Sequence, residues 1–120
     1  MDAFQQTANL IKLLAHPARL EILEILAEEG EACVCHLEWR LGLRQAALSQ
    51  HLSRMREAGL VTDHRQGLYI FYTLASADIS DMLSSIKQGS QSLSLLDLQH
   101  ELPEGDPARS CPCPRCKTDD

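Results

Sequence analysis

The segment from residue 37 to residue 72 constrains the fold of this 120-residue chain more than any other stretch. It reads as a short helix, a tight turn at Gly42, a second helix and two β-prone runs. In the second helix Leu48, Leu52, Met55 and Gly59 recur at spacings of three and four residues, which is the pattern of a helix that buries one apolar or small face. The opposite face is polar, so it is expected to point outward.

Two β-prone runs follow the second helix, and a hairpin signal joins them. The first run begins at residues 60–62 and the second covers residues 68–74, with Gln66 and Gly67 between them. Gly59 stands where a glycine near a helix C-terminus is expected. A helix, a turn, a second helix and a hairpin, in this order, predict a winged helix-turn-helix. This is a mainly α fold with a small β-hairpin, and it lays the second helix in the major groove of DNA.

The outward face of the second helix carries the groups that are expected to read double-stranded DNA. Glutamine and serine hydrogen-bond to base edges, alanine contacts a thymine methyl group, and arginine reaches a base or a phosphate. An ordinary solvated face is the alternative, but the adjacent turn and hairpin favour DNA reading. The predicted contact residues are Arg44, Gln45, Ala46, Ser49, Gln50, Ser53 and Arg54, with His64 and Arg65 near the hairpin tip.

The net charge of −6 is unusual for a DNA-binding protein, but it is unevenly distributed. Residues 37–72 hold five arginines against three acidic residues, whereas the remainder holds six basic and fourteen acidic residues. A local basic patch on an acidic protein favours weak non-specific affinity and easy release, and a dimer presents two such patches to one duplex. The acidic charge also suggests an alternative, a metal-buffering or interaction module without DNA binding. Salt-sensitive binding to a palindromic site would exclude that alternative.

Length and composition predict one modest domain in the cytoplasm. A chain of 120 residues with 44% hydrophobic content can bury a single core. No apolar run approaches the roughly 18 residues of a membrane-spanning helix, and the N-terminus lacks the apolar core of a signal peptide, so no membrane association is expected. We find no phosphate-binding loop, no supported Ser/His/Asp arrangement and no carboxylate pair in a plausible cleft, so an enzyme is not expected.

Helical patterns flank the central segment on both sides. Residues 4–15 show an apolar pattern wider than one stripe, which predicts a helix that packs on two partners. Pro17 is well placed in the first turn of the next helix. After the hairpin, residues 77–100 predict one long helix. The prediction is therefore about five helices in a domain of residues 1–102, followed by a flexible, cysteine-rich tail of residues 103–120.

Cys33 and Cys35 form the first motif with distinctive chemistry. On a regular helix, residues at i and i+2 lie about 200° apart, so the two thiols share one ion only where the first turn is open or the chain is extended. A helix N-terminus also lowers a thiol pKa and favours the thiolate that binds metal. Two small core residues are the alternative, because free cysteine is often buried.

The tail contains the second cysteine motif. Cys111, Cys113 and Cys116 fall within six residues, and Pro112 and Pro114 exclude a helix and favour a path that aims the sulfurs at one point. Exposed thiols on a flexible tail are an oxidation hazard, so a soft-ion site is the favoured interpretation. A zinc knob and a redox cluster are the alternatives. Because the five cysteines are an odd number and no secretory segment is evident, a disulfide framework is not expected.

The stretches LLAHPARLEILEIL, CVCHL, ALSQHLSRMREAGLV and GLYIFYTL together resemble the ArsR/SmtB family of metal-responsive bacterial repressors. The likeness covers about residues 4–75. It implies a homodimeric winged-helix repressor, joined through its first and last helices, that leaves a palindromic operator when a metal or metalloid binds. Members with Cys-Val-Cys at this place often bind arsenite, antimonite, cadmium or lead. Those ions are therefore the expected inducers, and zinc is a weaker match.

The chain departs from the family pattern at two places. The third cysteine that commonly follows the Cys-Val-Cys pair in arsenite sensors is Glu38 here, so the missing ligand must come from elsewhere. Some relatives carry a zinc or nickel site on the last helix. That site is expected to be absent, because the matching residues are Asp78, Ile79 and Ser80.

The five cysteines leave two arrangements of the metal ligands open. In the first, the tail folds back and one or more of Cys111, Cys113 and Cys116 complete the site of Cys33 and Cys35, from the same chain or from the partner. In the second, the tail binds an ion by itself. Three sulfurs suit arsenite or lead, and four suit cadmium or zinc. The same cysteines would also serve a thiol-switch repressor of oxidants or reactive sulfur, which is the alternative function.

Overall fold

A computed structural model describes residues 2–93, 102–107 and 111–116 of the chain. Within these residues it has five α-helices and three β-strands. The helices are α1 (Ala3–Leu14), α2 (Pro17–Glu29), α3 (Val34–Leu41), α4 (Gln45–Glu57) and α5 (Ala77–Ser92), and the strands are β1 (Ala32–Cys33), β2 (Val61–Gln66) and β3 (Tyr69–Leu74). The predicted winged helix-turn-helix with about five helices is confirmed.

The helix ends follow from local chemistry. Asp2 and Gln5 form a capping box at the start of α1, in which each side chain accepts the backbone N–H of the other. Pro17 stands in the first turn of α2, where its missing N–H is no loss. Gly42 ends α3 with a φ of 65°, a left-handed conformation that glycine adopts without a Cβ clash. This sharp end turns the chain directly into α4.

The three strands form one antiparallel sheet in the order β1-β3-β2. β2 and β3 are the predicted hairpin, and their register pairs Val61 with Leu74 and Gln66 with Tyr69. β1 was not predicted, because two residues are too few to show a strand period. It pairs Cys33 with Phe71 of β3, so the first cysteine of the chain is attached to the wing.

The core lies between α2, α4 and the sheet. The predicted stripe of α4 is confirmed, because Leu48, Leu52 and Met55 are each no more than 1% exposed. Truncating one such leucine to alanine costs about 2–5 kcal/mol of stability. Gly59, which the pattern placed at the end of this stripe, is exposed beyond the helix and has a φ of 81°. It serves the turn into β2 instead of the packing of α4.

The outer helices leave apolar side chains uncovered. Phe4 and Ile11 of α1 are 88% and 61% exposed, and Ile86 of α5 is 48% exposed. α5 ends at Ser92, and the remainder of the predicted last helix, residues 94–100, lies outside the described residues. No helix in the described part of the chain is long and apolar enough to cross a membrane.

Candidate metal centre and DNA-reading face

The thiol pair lies at the boundary between a strand and a helix. Cys33 is the N-cap of α3 with an extended backbone (φ −80°, ψ 162°), and Cys35 is in the first turn of that helix. Because Cys33 stands outside the helix, the two sulfurs are not forced apart by the helical rotation, and they lie 2.6 Å from each other. The Cys33 Sγ also accepts the backbone N–H of His36 at 3.3 Å, which caps the helix.

The tail brings two further sulfurs to this pair. The Cys111 Sγ is 3.5 Å from that of Cys33 and 2.8 Å from that of Cys35. With Cys113 they form a group of four sulfurs that all lie within 4.8 Å of one another. Among the described residues this is the only group of three or more histidine, cysteine or acidic side chains with its ligand atoms so close. The arrangement corresponds to the first of the two predicted ligand sets, formed within one chain.

The fifth predicted ligand lies at the edge of this group. Cys116 is not one of the four clustered sulfurs, and its Sγ is instead 3.5 Å from the Nδ1 of His36. The Nε2 of His36 is 2.9 Å from a carboxylate oxygen of Glu29. Glu38, which replaces the third family cysteine, is also outside the four-sulfur group. The sulfurs closest to Cys33 and Cys35 are therefore those of tail cysteines.

Contacts away from the sulfurs hold the tail in place. The Arg115 guanidinium donates to the backbone carbonyls of Glu29 (2.6 Å) and Glu31, at the end of α2. The Arg40 Nε donates to the Pro103 carbonyl at 3.1 Å, and the indole N–H of Trp39 donates to the Asp106 carbonyl at 2.7 Å. These residues were missed from the sequence. A lone tryptophan beside the thiol pair is the signal that could have pointed to a docking surface.

Gly105 makes the close approach to Trp39 feasible. Its φ is +85°, and a Cβ at this position would lie 2.8 Å from the indole ring. Any larger residue would therefore meet both backbone strain and a steric clash. We call the contacts of Trp39 with Gly105 and Asp106 the tail latch.

Burial raises the pKa values of Cys33 and Cys35, so the lowered thiol pKa expected at a helix N-terminus is wrong for this pair. Burial raises the pKa of Cys33 to about 12. It also raises the pKa of Cys35 and of Cys116, and neighbouring thiols add to both shifts. Burial acts in the same direction on Cys113, but hydrogen bonds from the Cys116 backbone and from the thiols of Cys33, Cys116 and Cys111 lower its pKa to about 7. A divalent ion must therefore displace protons from at least Cys33 and Cys35.

The sulfurs contact the wing as well as α3. Phe71 of β3 is buried in one cluster with Cys33, Cys111 and Cys113, and the Tyr69 hydroxyl donates to the Pro112 carbonyl at 3.4 Å. A groove beside the sulfurs is lined by residues that include Cys33, Cys35, Leu68 and Gln45, the first residue of α4. The cluster thus lies where α3, the start of α4 and the hairpin meet.

The predicted DNA contacts lie mainly on the surface. Arg44, Gln45, Ala46, Ser49, Gln50 and Arg54 are exposed, as are His64 and Arg65 on β2, whereas Ser53 is half-buried. The ring of His64 stacks on Phe71 with centroids 5.5 Å apart, and its Nε2 is 3.7 Å from a Glu31 carboxylate oxygen. His64 is thus held against the wing, whereas the face of α4 is open to a partner. Whether these residues touch DNA stays a prediction.

The matching residues of α5 offer no comparable ligand group. Ile79 is buried in the core, while Asp78 is exposed next to the N-cap Ser76, whose Oγ accepts the Asp78 backbone N–H. No metal-ligand group of the described residues includes any of these positions.

Comparisons with known proteins agree with this architecture. A family profile described as bacterial regulatory protein, arsR family, matches residues 16–63. The arsenical resistance operon repressor of Escherichia coli is 41% identical over 73 residues, which are 61% of this chain and 62% of that protein. The crystal structure of Rv0081 from Mycobacterium tuberculosis superposes with a TM-score of 0.72 at 35% identity, covering 78% of this chain and 95% of that one.

A second similar structure is that of a homodimer. The homodimeric winged helix-turn-helix DNA-binding domain Mb0332 of Mycobacterium bovis, determined in solution, superposes with a TM-score of 0.65 at 28% identity. The match covers 82% of this chain and 86% of that one. Its described state is a homodimer, which is a property of that protein.

The fold and the comparisons together define the class of this protein. The protein is a winged helix-turn-helix transcription regulator with a DNA-binding fold, and relatives of known name are transcriptional repressors. More particularly, the chain belongs to the ArsR family of bacterial repressors. It carries a four-thiol cluster whose donor set suits a soft metal ion.

Proposed function

We propose that this repressor binds its operator as a homodimer and leaves it when a soft ion binds the sulfurs of Cys33, Cys35, Cys111 and Cys113. The observation that carries the proposal is the convergence of these four sulfurs within 4.8 Å. Arsenite, antimonite, cadmium and lead are the candidate inducers, because thiolates prefer soft ions. Cadmium fits four sulfurs best, and arsenite would use three of them.

A thiolate site has ample free energy for such a switch. Structural zinc sites in small peptides bind with about 10–16 kcal/mol at neutral pH. An allosteric coupling of only about 1–3 kcal/mol changes operator affinity by roughly 5–150-fold. Only a small part of the binding free energy therefore has to reach the DNA-reading face.

The path to that face is short. Cys33 caps α3 and pairs with Phe71 of β3, so a change at its sulfur acts on both a helix end and the wing. α3 in turn contacts α4 and is separated from it only by the turn at Gly42. We propose that ion binding changes the angle of α3 and the position of β3 relative to α4, so that helix and wing no longer fit one DNA duplex together.

The dimer belongs to the same proposal. Exposed Phe4 and Ile11 on α1, Ile86 on α5 and Leu93 at the C-cap of α5 form apolar surface that a second copy would cover. We also propose that residues 1–102 form the DNA-binding and dimerisation domain, and that the tail from residue 103 serves the metal site. Two subunits present two α4 helices, which suits a palindromic operator.

The four sulfurs also suit a second candidate, a thiol switch. The 2.8 Å between the sulfurs of Cys35 and Cys111 favours it, because these thiols can be joined with little movement. A hydroperoxide would oxidise one thiol to a sulfenic acid, and the other thiol would displace water to give a disulfide between the tail and α3. Loss of operator binding on oxidation without metal would support this function.

An operator-release titration distinguishes the two candidates. An operator selected from random duplexes is bound by the reduced, full-length protein and titrated with arsenite, cadmium, lead and zinc. The same titration is repeated on a chain that ends at Gly105. Release by a soft ion that is lost or weakened in the shorter chain supports the metal function. Release only by hydroperoxide or polysulfide, with none by metal, would replace it with the thiol switch.

A further inference from the structure

Two hydrogen-bond donors of α3 are occupied by the tail. The Arg40 Nε donates to the Pro103 carbonyl at 3.1 Å, and the indole N–H of Trp39 donates to the Asp106 carbonyl at 2.7 Å. Both acceptors are neutral backbone oxygens of one short segment. A phosphate oxygen could accept from the same two donors, and its bond to the arginine would be stronger, because both groups are then charged. The tail therefore covers donors that suit an anionic partner.

These donors belong to a surface that continues to the start of the DNA-reading helix. A groove of about 820 Å³ lies beside α3 and the turn that follows it, and its lining includes Trp39, Arg40 and Arg44 together with Gly105 and Asp106 of the tail. Arg44 is the exposed N-cap of α4. The docked tail and the beginning of α4 thus border one groove.

The two helices of a helix-turn-helix take different places on DNA. The second helix enters the major groove, while the first crosses the sugar–phosphate backbone. In this chain α3 is the first helix and α4 is the second, so a duplex that is read by α4 brings phosphates toward α3. The tail segment beside α3 carries exposed carboxylates at Glu104 and Asp106, and like charges oppose the approach of phosphates. The docked tail is therefore an obstacle to the duplex.

We infer that Trp39 and Arg40 are part of the DNA-binding surface, which the DNA backbone and the tail occupy in turn. The inference deepens the proposed function and rests on it for the presence of DNA. Without an ion, the tail is held by noncovalent contacts alone, and phosphates compete for two of its hydrogen bonds. An ion bound by the four clustered sulfurs ties the tail to α3, so the DNA backbone no longer displaces it. This covering of phosphate donors adds to the proposed change in the angle of α3.

The charge of the groove makes the inference measurable. The basic residues of its lining are Arg40 and Arg44, and Glu38 is an acidic member. The Arg40 Nη1 is 3.5 Å from a carboxylate oxygen of Glu29, a contact that fixes the guanidinium with its Nε toward the tail. Because so few cations line the groove, removing one of them should change the salt dependence of DNA binding.

The salt dependence of operator binding tests the surface without any ion. In the reduced, metal-free, full-length protein, Arg40→Gln should lower the slope of log affinity against log salt by about 1 per subunit. It should also weaken binding to operator and to non-specific duplex alike, by roughly tenfold. Arg115→Gln is the matched control, because Arg115 also donates to backbone carbonyls, those of Glu29 and Glu31, but does not line the groove. The control should keep the wild-type slope, and an unchanged slope in Arg40→Gln would overturn the inference.

The indole N–H resonance of Trp39 is a second test, which decides the inference even if Arg40→Gln fails to fold. Trp39 is the single tryptophan of the chain, so one NMR resonance reports its bond to Asp106. The free wild-type protein and Gly105→Ala should differ, because the added Cβ would clash with the indole ring and loosen the tail. In their metal-free operator complexes the two resonances should coincide, because DNA displaces the tail in both.

Two NMR results would contradict the inference. A difference between wild type and Gly105→Ala that persists in the operator complexes would show that the tail stays docked on bound DNA. Free proteins whose resonances already coincide would show that the tail does not cover Trp39. The proposed function fails separately: if no soft ion releases the operator, metal-driven release is wrong, whereas the salt slope and the indole resonance still decide whether DNA and the tail share this surface.

Discussion

The α4 face and the thiol cluster are built in opposite ways. The α4 face is formed by residues adjacent in sequence, from Gln45 to Glu57, and one buried stripe orients all of them. The thiol cluster joins residues that are far apart in sequence, such as Cys33 and Cys111, which are separated by 78 positions. The first needs only a helix on a core. The thiol cluster also needs the tail latch and Arg115 to hold the tail in place. Single substitutions on the tail side of these contacts should therefore weaken metal binding without affecting DNA binding.

The largest effect is expected from removing the thiol pair. Cys33→Ser with Cys35→Ser should abolish operator release by cadmium and arsenite. Only these two cysteines belong to β1 and α3, so an ion held by the tail sulfurs alone would have no bond to either element. Operator affinity without metal should change less than threefold in binding assays at fixed salt. If this variant still releases the operator on adding metal, the tail acts alone and the thiol pair does not couple metal binding to DNA release.

A change of pH should separate cadmium from arsenite. The pKa of Cys33 is raised to about 12 and that of Cys35 is raised too, so both are protonated at pH 7 and lose their protons to cadmium. Cadmium affinity should therefore rise with pH, by about two orders of magnitude from pH 7 to pH 8. Arsenous acid releases one water for each thiol and no net proton, so its affinity should stay nearly constant. Competition titrations at both pH values measure this, and equal slopes for the two ions would contradict the protonation states.

Substitutions on α4 should act only on DNA. Gln50→Ala and Arg54→Ala should each weaken specific operator binding by about 1–3 kcal/mol if the side chain contacts a base edge. Cadmium affinity of the free protein should not change. Gln88→Ala, an exposed glutamine of α5, is the control for Gln50. Unchanged operator binding in both α4 variants would show that the assigned face is wrong.

A substitution in the tail latch is the sharpest test of the thiol cluster. Gly105→Ala would place a Cβ 2.8 Å from the Trp39 ring, in a backbone conformation with a φ of +85°. A left-handed alanine alone costs about 1–2 kcal/mol, so cadmium affinity should fall by roughly 5–30-fold while metal-free operator binding is retained.

Gly89→Ala is the matched control for the latch, because its backbone is helical and, among the described residues, no atom outside its own helix backbone and chain neighbours lies within 4 Å of the Cβ position. It should leave cadmium affinity unchanged. A cadmium affinity that is also unchanged in Gly105→Ala would mean that the latch does not support the metal site.

Much of the fold could be predicted because its signals are local. Gly30 and Gly42 end helices, Pro17 begins one, and Gly67 forms the hairpin turn. Each depends on backbone preferences that act within a few residues. β1 escaped prediction because its two residues become a strand only by pairing with β3, a contact that no local pattern contains.

The site, like the fold, has a part that local sequence signals predict and a part that depends on long-range contacts. The sequence by itself identified two cysteine motifs as candidate ligands of a soft ion, and helix geometry keeps Cys33 and Cys35 apart unless the first turn is open. Only the tertiary structure decided that Cys33 stands outside α3 and that Cys111 and Cys113 reach it. It also decided that His36 faces Cys116. The physical reason is that sequence patterns report forces between near neighbours, whereas the approach of a distant tail depends on the surface that the folded domain offers it.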